Sequence, residues 1–474
     1  MKKIAIVGAG PAGLTAAYCI LNKSKEYEVT IYEKSENIGG LSCTYEFDGN
    51  KVDVGGHRFF TRSNRVLQLW QEVLPVEDGK MLIKDRLSHI LFKGKLYPYP
   101  LKVNKDLLRQ LGLKESAKVT YGYLKAKIKK KKVNNLEEFY INRFGKELYT
   151  LFFEKYTEKL WGIPVRKLSA AWGEQRIQKL SLKSLVKKNN KDRTMIEQFY
   201  YPTYGSGQIW EQLAKRIEEM GGKIVFDANV IDYEYEKKSI QAIIYENKKM
   251  HQRIAVDYVI STATLKEVAM NIASPKSKEY MIAEKLKYRN MIIAAMYIEK
   301  DGTGAIYEEL SNDMWIYVQN PEVAFGRIQI LNNWSVDMLN DNKGVLLEVE
   351  YYCDIMDSIW KASDVDIIKM SRDGLSRIGM ISKNASLISY FVKKIENAYP
   401  IYTETYDKVK EIRNWVNSFE NLYCIGRNGQ HHYNNMDHSM ETAFEAIDIL
   451  LGRKKDKERI WNVNSDDEYI EKRA

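Results

Sequence analysis

The sequence lacks the features that define several large protein classes. Its 474 residues contain no apolar run of about 18 or more, so no transmembrane helix is predicted. The four cysteines are scattered, without a C-x-x-C pair or the spacing of metal ligands. We therefore expect no metal site, and reduced thiols in a cytoplasmic protein. No internal repeat and no signal peptide is predicted either.

The charge balance is basic, with 73 Lys and Arg against 63 Asp and Glu, a net charge of +10. This balance suits an anionic ligand or an acidic membrane surface, whereas nucleic acid is not expected because no binding motif accompanies the charge. The densest basic run is Lys125, Lys127 and Lys129 to Lys132, on a predicted helix. Such runs are usually solvated helix faces, and the alternative is peripheral contact with anionic lipid heads. A homodimer is left open.

Length and periodicity predict a discontinuous α/β fold. The chain of 474 residues is longer than one compact hydrophobic core usually accommodates, so two or three domains are expected. A strand–helix–strand pattern begins at residue 2, and strands return after residue 223 and near residue 422. We predict a Rossmann-type domain with a helical insertion and an antiparallel β-sheet substrate domain. The predicted parts are 1–75, 206–265 and 416–452 for the nucleotide-binding domain, 76–205 for a mainly helical cap with a short β-ribbon, 266–415 for the substrate domain and 453–474 for a polar tail.

The first strand leads into a G-x-G-x-x-G turn that opens a helix. Gly8 permits the tight turn, Gly10 lets a pyrophosphate approach the backbone, and Gly13 allows close packing of helix and strand. Glu33 ends the next strand, where a carboxylate can accept hydrogen bonds from ribose hydroxyls. The predicted cofactor-binding residues of this unit are Gly8, Ala9, Gly10, Ala12, Gly13 and Glu33.

The residues after Glu33 indicate FAD rather than NAD. Glu33-Lys34 continues to Gly39-Gly40-Leu41, a pattern that resembles the extended fingerprint of the amine-oxidase and glutathione-reductase-like flavoproteins. Near the C-terminus, a strand and a glycine precede a helix predicted to begin near Asp437, with Ser439 or Asp437 as its cap. In that flavoprotein class such a helix points its N-terminus at the flavin. The remaining predicted cofactor-binding residues are Lys34, Gly40, Leu41, His57, Val230, Gly426, Arg427, Met436, Asp437 and Ser439.

Several longer segments carry a closer resemblance. Residues 144–170, the GGHRFFT loop at 55–61, AFGRIQIL at 324–331, EYY at 350–352 and GRNGQHHYNNMD at 426–437 together resemble UDP-galactopyranose mutase and its relatives. The resemblance implies a redox-neutral isomerisation of a nucleotide sugar between pyranose and furanose forms, for cell-surface polysaccharide precursors. Reduced FAD would attack the anomeric carbon through N5, and an external NAD(P)H or other reductant would keep it reduced.

The same resemblance implies roles for individual residues. Arg327 and Arg176 would hold the diphosphate, because guanidinium groups bind phosphate oxygens in pairs. His57 would lie beside the flavin in a positioning role. The residues implied to contact substrate are Tyr156, Trp161, Arg176, Arg327, Tyr351 and Tyr433. Phe60 replaces a second histidine common in bacterial members, and residues 187–208 lack the usual asparagine–tyrosine pattern. These departures leave the sugar and the base open.

Two other interpretations remain. A true oxidase or dehydrogenase, similar to the amine oxidases or protoporphyrinogen oxidases, would share the dinucleotide fingerprint on the same fold. Such an enzyme should have an apolar tunnel or aromatic cage in place of the arginines. The third interpretation is a non-catalytic flavin-binding protein that docks to membranes through its basic helix.

Overall fold

The structure is a computed structural model that describes residues 1–99, 101, 105–128, 132–176, 198–341 and 343–464. The strands, in chain order, are β1 (Lys2–Val7), β2 (Tyr27–Tyr32), β3 (Thr44–Phe47), β4 (Asn50–Asp53), β5 (Met81–Asp85), β6 (Ser88–Phe92), β7 (Lys95–Pro98), β8 (Gln198–Pro202), β9 (Lys223–Val225), β10 (Asn229–Glu236), β11 (Ser239–Asn247), β12 (Met250–Ala255), β13 (Tyr258–Ser261), β14 (Lys287–Glu299), β15 (Trp315–Val318), β16 (Arg327–Ile330), β17 (Gly344–Cys353), β18 (Leu387–Ile401) and β19 (Leu422–Cys424).

The helices connect these strands and cover the sheets. The α-helices in the described parts of the chain are Pro11–Lys23, Asn64–Val73, Lys105–Leu111, Leu113–Ile128, Leu136–Phe144, Lys146–Leu148, Glu154–Trp161, Ala170–Arg176, Gly207–Glu219, Leu265–Ile272, Lys278–Glu284, Ala305–Leu310, Leu331–Trp334, Ser358–Lys361, Asp364–Arg377, Val409–Asn417, Gly426–Gly429, Met436–Leu450 and Glu458–Trp461. A π-helical turn, Tyr149–Phe153, precedes the Glu154–Trp161 helix. None of the described helices is both long and apolar enough to cross a membrane.

Five strands from distant parts of the chain form one parallel sheet, in the order β19-β13-β1-β2-β9. The last four residues of β1 are all buried, as expected for a parallel strand covered by helices on both faces. The Pro11–Lys23 helix packs between this sheet and the Met436–Leu450 helix, and ten of its residues are buried. This sheet confirms the predicted discontinuous Rossmann-type fold.

Residues 223–262 do not all belong to that sheet. Strands β10, β11 and β12 form a separate antiparallel sheet, and only β9 and β13 join the parallel one. Asn421, directly before β19, connects the two sheets. Its side-chain amide donates to the carbonyls of Ile240 and Asp257, both at 2.8 Å, and its oxygen accepts from the Ile240 amide at 2.8 Å.

A seven-stranded sheet, in the order β18-β14-β17-β16-β15-β6-β7, forms the second half of the molecule. The predicted β-ribbon of the cap is part of this sheet, because β6 pairs in parallel with β15. All ten residues of β17 are buried. One face of the sheet packs on an apolar core beneath the Asp364–Arg377 helix, and the other faces the nucleotide-binding half. The predicted domain boundaries stay a prediction.

The Asn421 connection generates a stability prediction. Replacing Asn421 with Ala removes three hydrogen bonds from a buried position, so we expect a loss of about 2–3 kcal/mol in the free energy of unfolding. The matched control is Asn247→Ala, which removes one bond, to the Phe226 carbonyl at 3.1 Å. Urea unfolding of the FAD-loaded protein measures both, and equal midpoints for the two variants would contradict the proposed connection.

Candidate active site

The glycine turn after β1 is packed so closely that side chains at these positions would clash with their neighbours. Gly8 has a left-handed φ of +98°, and a Cβ added at Gly13 would lie 2.0 Å from the Gly8 carbonyl oxygen. Gly10 caps the following helix without a side-chain hydrogen bond. The amide groups in the first turn of that helix therefore receive no hydrogen bond from a capping side chain. Such free amides at a helix N-terminus favour the binding of a phosphate group.

The second glycine pair faces the first across a narrow gap. The Gly39 amide donates to the Ala9 carbonyl at 2.9 Å, and a Cβ on Gly40 would lie 3.2 Å from the Gly10 Cα. One oxygen of Glu33 accepts from the Ala9 amide at 2.7 Å, and the other accepts from the Ser35 amide at 2.9 Å. The two predicted motifs thus form one backbone cradle with a buried carboxylate beside it.

Other residues predicted for the cofactor surround this cradle. The Ala228 amide donates to the Glu33 carbonyl at 2.9 Å, and Val230 is buried two residues later. A Cβ on Gly426, whose φ is +75°, would lie 3.1 Å from the Ala12 side chain. Leu41 is half-buried and Lys34 is exposed.

The Met436–Leu450 helix begins near Asp437, as predicted, but its N-cap residue is neither of the two predicted, Asp437 or Ser439. Asn435 is the N-cap and forms a capping box with His438. Asp437 and Ser439 lie inside the first turn, because the extended backbone that a cap requires occurs at Asn435. The side-chain nitrogen of the adjacent Asn434 is buried without a hydrogen-bond partner among the described residues. This orphaned donor at the helix N-terminus fits a bound group with acceptor atoms.

A buried ion pair lies on the seven-stranded sheet, on the face that points toward the nucleotide-binding domain and its glycine cradle. Arg327 donates to Glu350 through Nε at 2.7 Å and through Nη2 at 2.6 Å, across the β16–β17 register. The Gln329 amide and the Tyr352 hydroxyl also donate to Glu350, each at 2.8 Å. Burial opposes the charge on Arg327, but Glu350 outweighs it and raises the pKa of the guanidinium.

Glu348, two residues before Glu350, is a second buried acid on this face. Burial raises its pKa well above the usual range, and the nearby carboxylates of Glu350 and Asp53 add to the shift. The protonated form of Glu348 is therefore favoured, whereas Glu350 stays ionised because Arg327 more than offsets its burial and lowers its pKa.

Tyrosines surround the Arg327 guanidinium. The Tyr399 ring lies 6.0 Å from the Tyr352 ring and is stacked 6.1 Å from the Tyr433 ring. Burial raises the pKa of Tyr399 to about 12 and that of Tyr156 well above its usual value, although the charge of Arg327 opposes both shifts. These hydroxyls therefore stay protonated at neutral pH and can donate hydrogen bonds.

A half-buried lysine anchors the helix that carries Tyr156. The Lys159 ammonium donates to the carbonyls of Val318, Asn320 and Phe325 at 2.9–3.2 Å. Burial lowers its pKa to about 8. These three bonds join the Glu154–Trp161 helix to the loop between β15 and β16, directly before Arg327.

The GGH loop approaches the same cluster. A Cβ on Gly55 would lie 3.0 Å from a Glu350 oxygen, and one on Gly56 would lie 2.8 Å from the Gln329 amide. His57 Nε2 lies 2.9 Å from the Val54 carbonyl. Burial lowers the pKa of His57. The Asp53 carboxylate opposes this downward shift, and the positive charges of Arg427 and Arg327 add to it. The imidazole is therefore neutral at pH 7.

Arg427 supplies a second cation near His57. Its side chain donates to the carbonyls of Asn434 at 2.9 Å and Ala398 at 3.2 Å. The guanidinium lies 4.8 Å from the Tyr433 ring centre and 5.4 Å from that of Tyr399. In the described part of the chain Arg427 donates to backbone carbonyls and forms no ion pair with a carboxylate, so it contributes net positive charge to the site.

Two predicted substrate residues are placed differently from expectation, and the prediction for a third, Arg176, is not tested. Tyr351 was expected at the phosphate site, but it lies on the opposite face of β17, with its hydroxyl 2.9 Å from the Ser371 hydroxyl. Trp161 was expected in the substrate cleft, but its indole is buried against Trp172, one layer behind Tyr399. Arg176 ends the Ala170–Arg176 helix, and its side chain lies outside the described residues, as do residues 187–197.

The sequence reasoning missed several residues of the cluster. Gln175, the residue before Arg176, donates to the Tyr433 carbonyl at 2.7 Å and accepts from the Tyr402 hydroxyl at 2.9 Å. Glu350 belongs to the EYY segment that carried the resemblance, but the sequence signal for Glu348 was only its position in a strand that is otherwise almost entirely apolar. The missed residues are Gln175, Gln329, Glu348, Glu350, Tyr352 and Tyr399.

Comparison with known proteins identifies the family. The profile of flavin-containing amine oxidoreductases matches residues 11–297. This chain belongs to that family. Among curated relatives, it is 24% identical over 274 residues to coproporphyrinogen III oxidase of Staphylococcus aureus, covering 52% of this chain and 58% of that protein. It is 22% identical over 299 residues to 1-hydroxycarotenoid 3,4-desaturase of a Flavobacterium species, covering 58% and 60%. The matches thus span less than two thirds of these relatives.

Solved structures resemble nearly the whole chain. The crystal structure of reduced UDP-galactopyranose mutase matches with a TM-score of 0.83 at 22% identity, over 98% of this chain and 99% of that one. Putrescine oxidase bound to putrescine matches with a TM-score of 0.62 at 14% identity, over 95% and 99%. At these identities the likeness establishes the fold, and it confirms the predicted similarity to the mutase within the amine oxidase superfamily.

The chain is therefore an FAD flavoprotein and a flavin-dependent enzyme of the amine oxidase superfamily, as predicted. The cradle fits the cofactor: the gap between Gly10 and Gly40 would take the pyrophosphate, and the Glu33 carboxylate would offer acceptors to the ribose. The buried donor on Asn434 lies at the helix terminus expected to face the flavin.

The role of Glu33 can be tested separately from catalysis. We expect Glu33→Gln to weaken FAD binding about tenfold, because one carboxylate acceptor becomes an amide donor. Glu36→Gln, at an exposed position in the same loop, is the matched control. Titration of the deflavinated protein with FAD measures both, and an unchanged affinity in Glu33→Gln would refute the ribose contact.

Proposed function

We propose that this chain is an FAD-dependent nucleotide-sugar mutase that interconverts pyranose and furanose forms. The observation that carries the proposal is the polar cluster of Arg327, Arg427 and three tyrosines, Tyr156, Tyr399 and Tyr433, next to the GGH loop. Such a cluster suits a diphosphate better than an amine or a polyene, since it offers cations and protonated hydroxyls. The whole-chain likeness to a mutase supports the same conclusion.

The protein's own task would be to hold the diphosphate while its bond to the sugar breaks and reforms. Arg327 uses Nε and Nη2 in the pair with Glu350, which leaves Nη1 for a phosphate oxygen. Tyrosines with raised pKa values would donate to the remaining oxygens without becoming charged. A retained diphosphate can recapture the rearranged sugar, so the substrate is isomerised rather than hydrolysed.

Reduced FAD, when bound, would supply the nucleophile for exchange at the anomeric carbon, and the net reaction would be redox-neutral. The neutral His57 ring is held by the Val54 carbonyl at 2.9 Å, so it would position the loop and avoid adding positive charge. We also propose an external reductant such as NAD(P)H, and a cytoplasmic location that matches the four buried free thiols.

The second candidate function is an FAD-dependent oxidase or dehydrogenase of the amine oxidase or protoporphyrinogen oxidase type. Two observations favour it. The curated relatives named above are an oxidase and a desaturase. In addition, Glu350 balances most of the Arg327 charge, which lowers the attraction of this cation for a diphosphate.

Anaerobic turnover distinguishes the two functions. The FAD-loaded protein is incubated with UDP- and dTDP-sugars, with and without dithionite, and the products are separated by chromatography. Conversion of pyranose to furanose that needs reduced flavin but consumes no reductant supports the mutase. Flavin that is reduced by an organic substrate and reoxidised by oxygen, without sugar conversion, supports the oxidase and refutes the mutase.

The phosphate role of Arg327 leads to a graded prediction. We expect Arg327→Lys to weaken sugar-nucleotide binding by about tenfold or more, because an ammonium cannot form the guanidinium fork, and Arg327→Ala to weaken it further. Arg62→Lys, at an exposed position, is the control. Equilibrium binding of the sugar nucleotide to the reduced holoenzyme provides the readout.

Loss of folding must be separated from loss of binding, because Arg327→Ala leaves Glu350 buried and unpaired. The double variant Arg327→Met with Glu350→Gln removes both charges and is expected to retain FAD. If this double variant keeps FAD and binds sugar nucleotides as tightly as wild type, the phosphate-clamp assignment is wrong.

A further inference from the structure

The Leu113–Ile128 helix has two apolar faces, and only one of them is buried. Val119, Gly122 and Ala126 face the protein, where the helix packs on Leu136–Phe144 and Lys146–Leu148. The approach is close, since a Cβ on Gly145 would lie 2.6 Å from the Gly122 backbone. This contact fixes which side of the helix points outward.

The outward face carries large apolar side chains. Leu113 is 94% exposed, Tyr121 65%, Leu124 55% and Ile128 82%. Because successive residues of an α-helix are rotated by about 100°, these four side chains are centred roughly half a turn away from Val119, Gly122 and Ala126. No described residue covers them, and an exposed apolar stripe on one helix is unusual for the outer face of a soluble protein.

The charges around this stripe are almost all positive. Residues 113–132 contain eight lysines and one glutamate. Lys114, Lys118 and Lys125 flank the stripe on one side and Lys127 on the other, by the same helical geometry. The one acid, Glu115, already forms an ion pair with Lys118 at 2.8 Å. The remaining lysines leave a net positive face around the apolar stripe.

We infer that this helix docks the protein onto a bilayer containing anionic phospholipids. An apolar stripe bordered by lysines matches a membrane interface, where acyl chains take the apolar side chains and acidic headgroups take the ammonium groups. A nucleic acid would satisfy the lysines but leave Leu124 and Ile128 exposed to water. This peripheral docking is independent of the reaction catalysed, because no residue of the stripe belongs to the Arg327 cluster.

Vesicle sedimentation tests the inference on the FAD-loaded protein. We expect at least tenfold tighter binding to vesicles of phosphatidylcholine with one quarter phosphatidylglycerol than to pure phosphatidylcholine. Raising the salt from 0.1 M to 1 M should release much of the protein, because the screening length falls from about 10 Å to about 3 Å. Equal binding to both vesicle types would overturn the inference.

Two double variants separate the apolar from the electrostatic part. Leu124→Glu with Ile128→Glu, and Lys114→Glu with Lys125→Glu, should each lower vesicle affinity at least tenfold. Both should keep the flavin spectrum and the melting temperature of wild type. Met250→Glu changes a residue that is 61% exposed on another surface and should bind like wild type. Double variants that bind like this control would overturn the inference.

Light scattering without vesicles tests the main competing occupant of the stripe, a second copy of the chain. A wild-type dimer that Leu124→Glu with Ile128→Glu splits into monomers would overturn membrane docking in favour of self-association. Binding to duplex DNA by a protein that ignores anionic vesicles would overturn it in favour of a nucleic-acid surface.

Discussion

The arrangement of the candidate site depends on the ion pair of Arg327 with Glu350. A carboxylate with no solvent exposure is costly unless its oxygens are filled, and here Arg327, Gln329 and Tyr352 all donate to it. The GGH loop packs directly on this group: Gly55 has a left-handed φ of +78°, and a Cβ there would lie 3.0 Å from a Glu350 oxygen. The pair therefore determines where the loop and its histidine lie, and it provides the fixed cation around which the tyrosines gather.

The pair also explains why the fold alone leaves the reaction undecided. A putrescine oxidase and a mutase share this architecture, so the chemistry depends on the side chains that face the flavin. Here the charge of Arg327 is largely balanced, and Arg427 brings the positive charge that no described carboxylate offsets. A diphosphate is a stronger match to that charge than a neutral or cationic substrate.

The sequence allowed the cofactor cradle to be predicted but only part of the cluster around Arg327. Glycines and Glu33 act through the local backbone, so their spacing was sufficient. Which tyrosines reach the site depends on strand register. Tyr351 and Tyr352 are adjacent in β17, and because side chains alternate along a strand they lie on opposite faces of the sheet. Tyr399 comes from β18, some 70 residues after Arg327 in the sequence, and is brought close only by the order of strands in the sheet.

We propose that Arg327, Arg427 and the surrounding tyrosines recognise a diphosphate. Equilibrium dialysis of the FAD-loaded protein with UDP and with uridine tests it directly, because the two ligands differ only in the diphosphate. We expect UDP to bind at least tenfold more tightly than uridine, and inorganic pyrophosphate to compete with UDP. Equal affinities for UDP and uridine, or no binding of either, would contradict the claim.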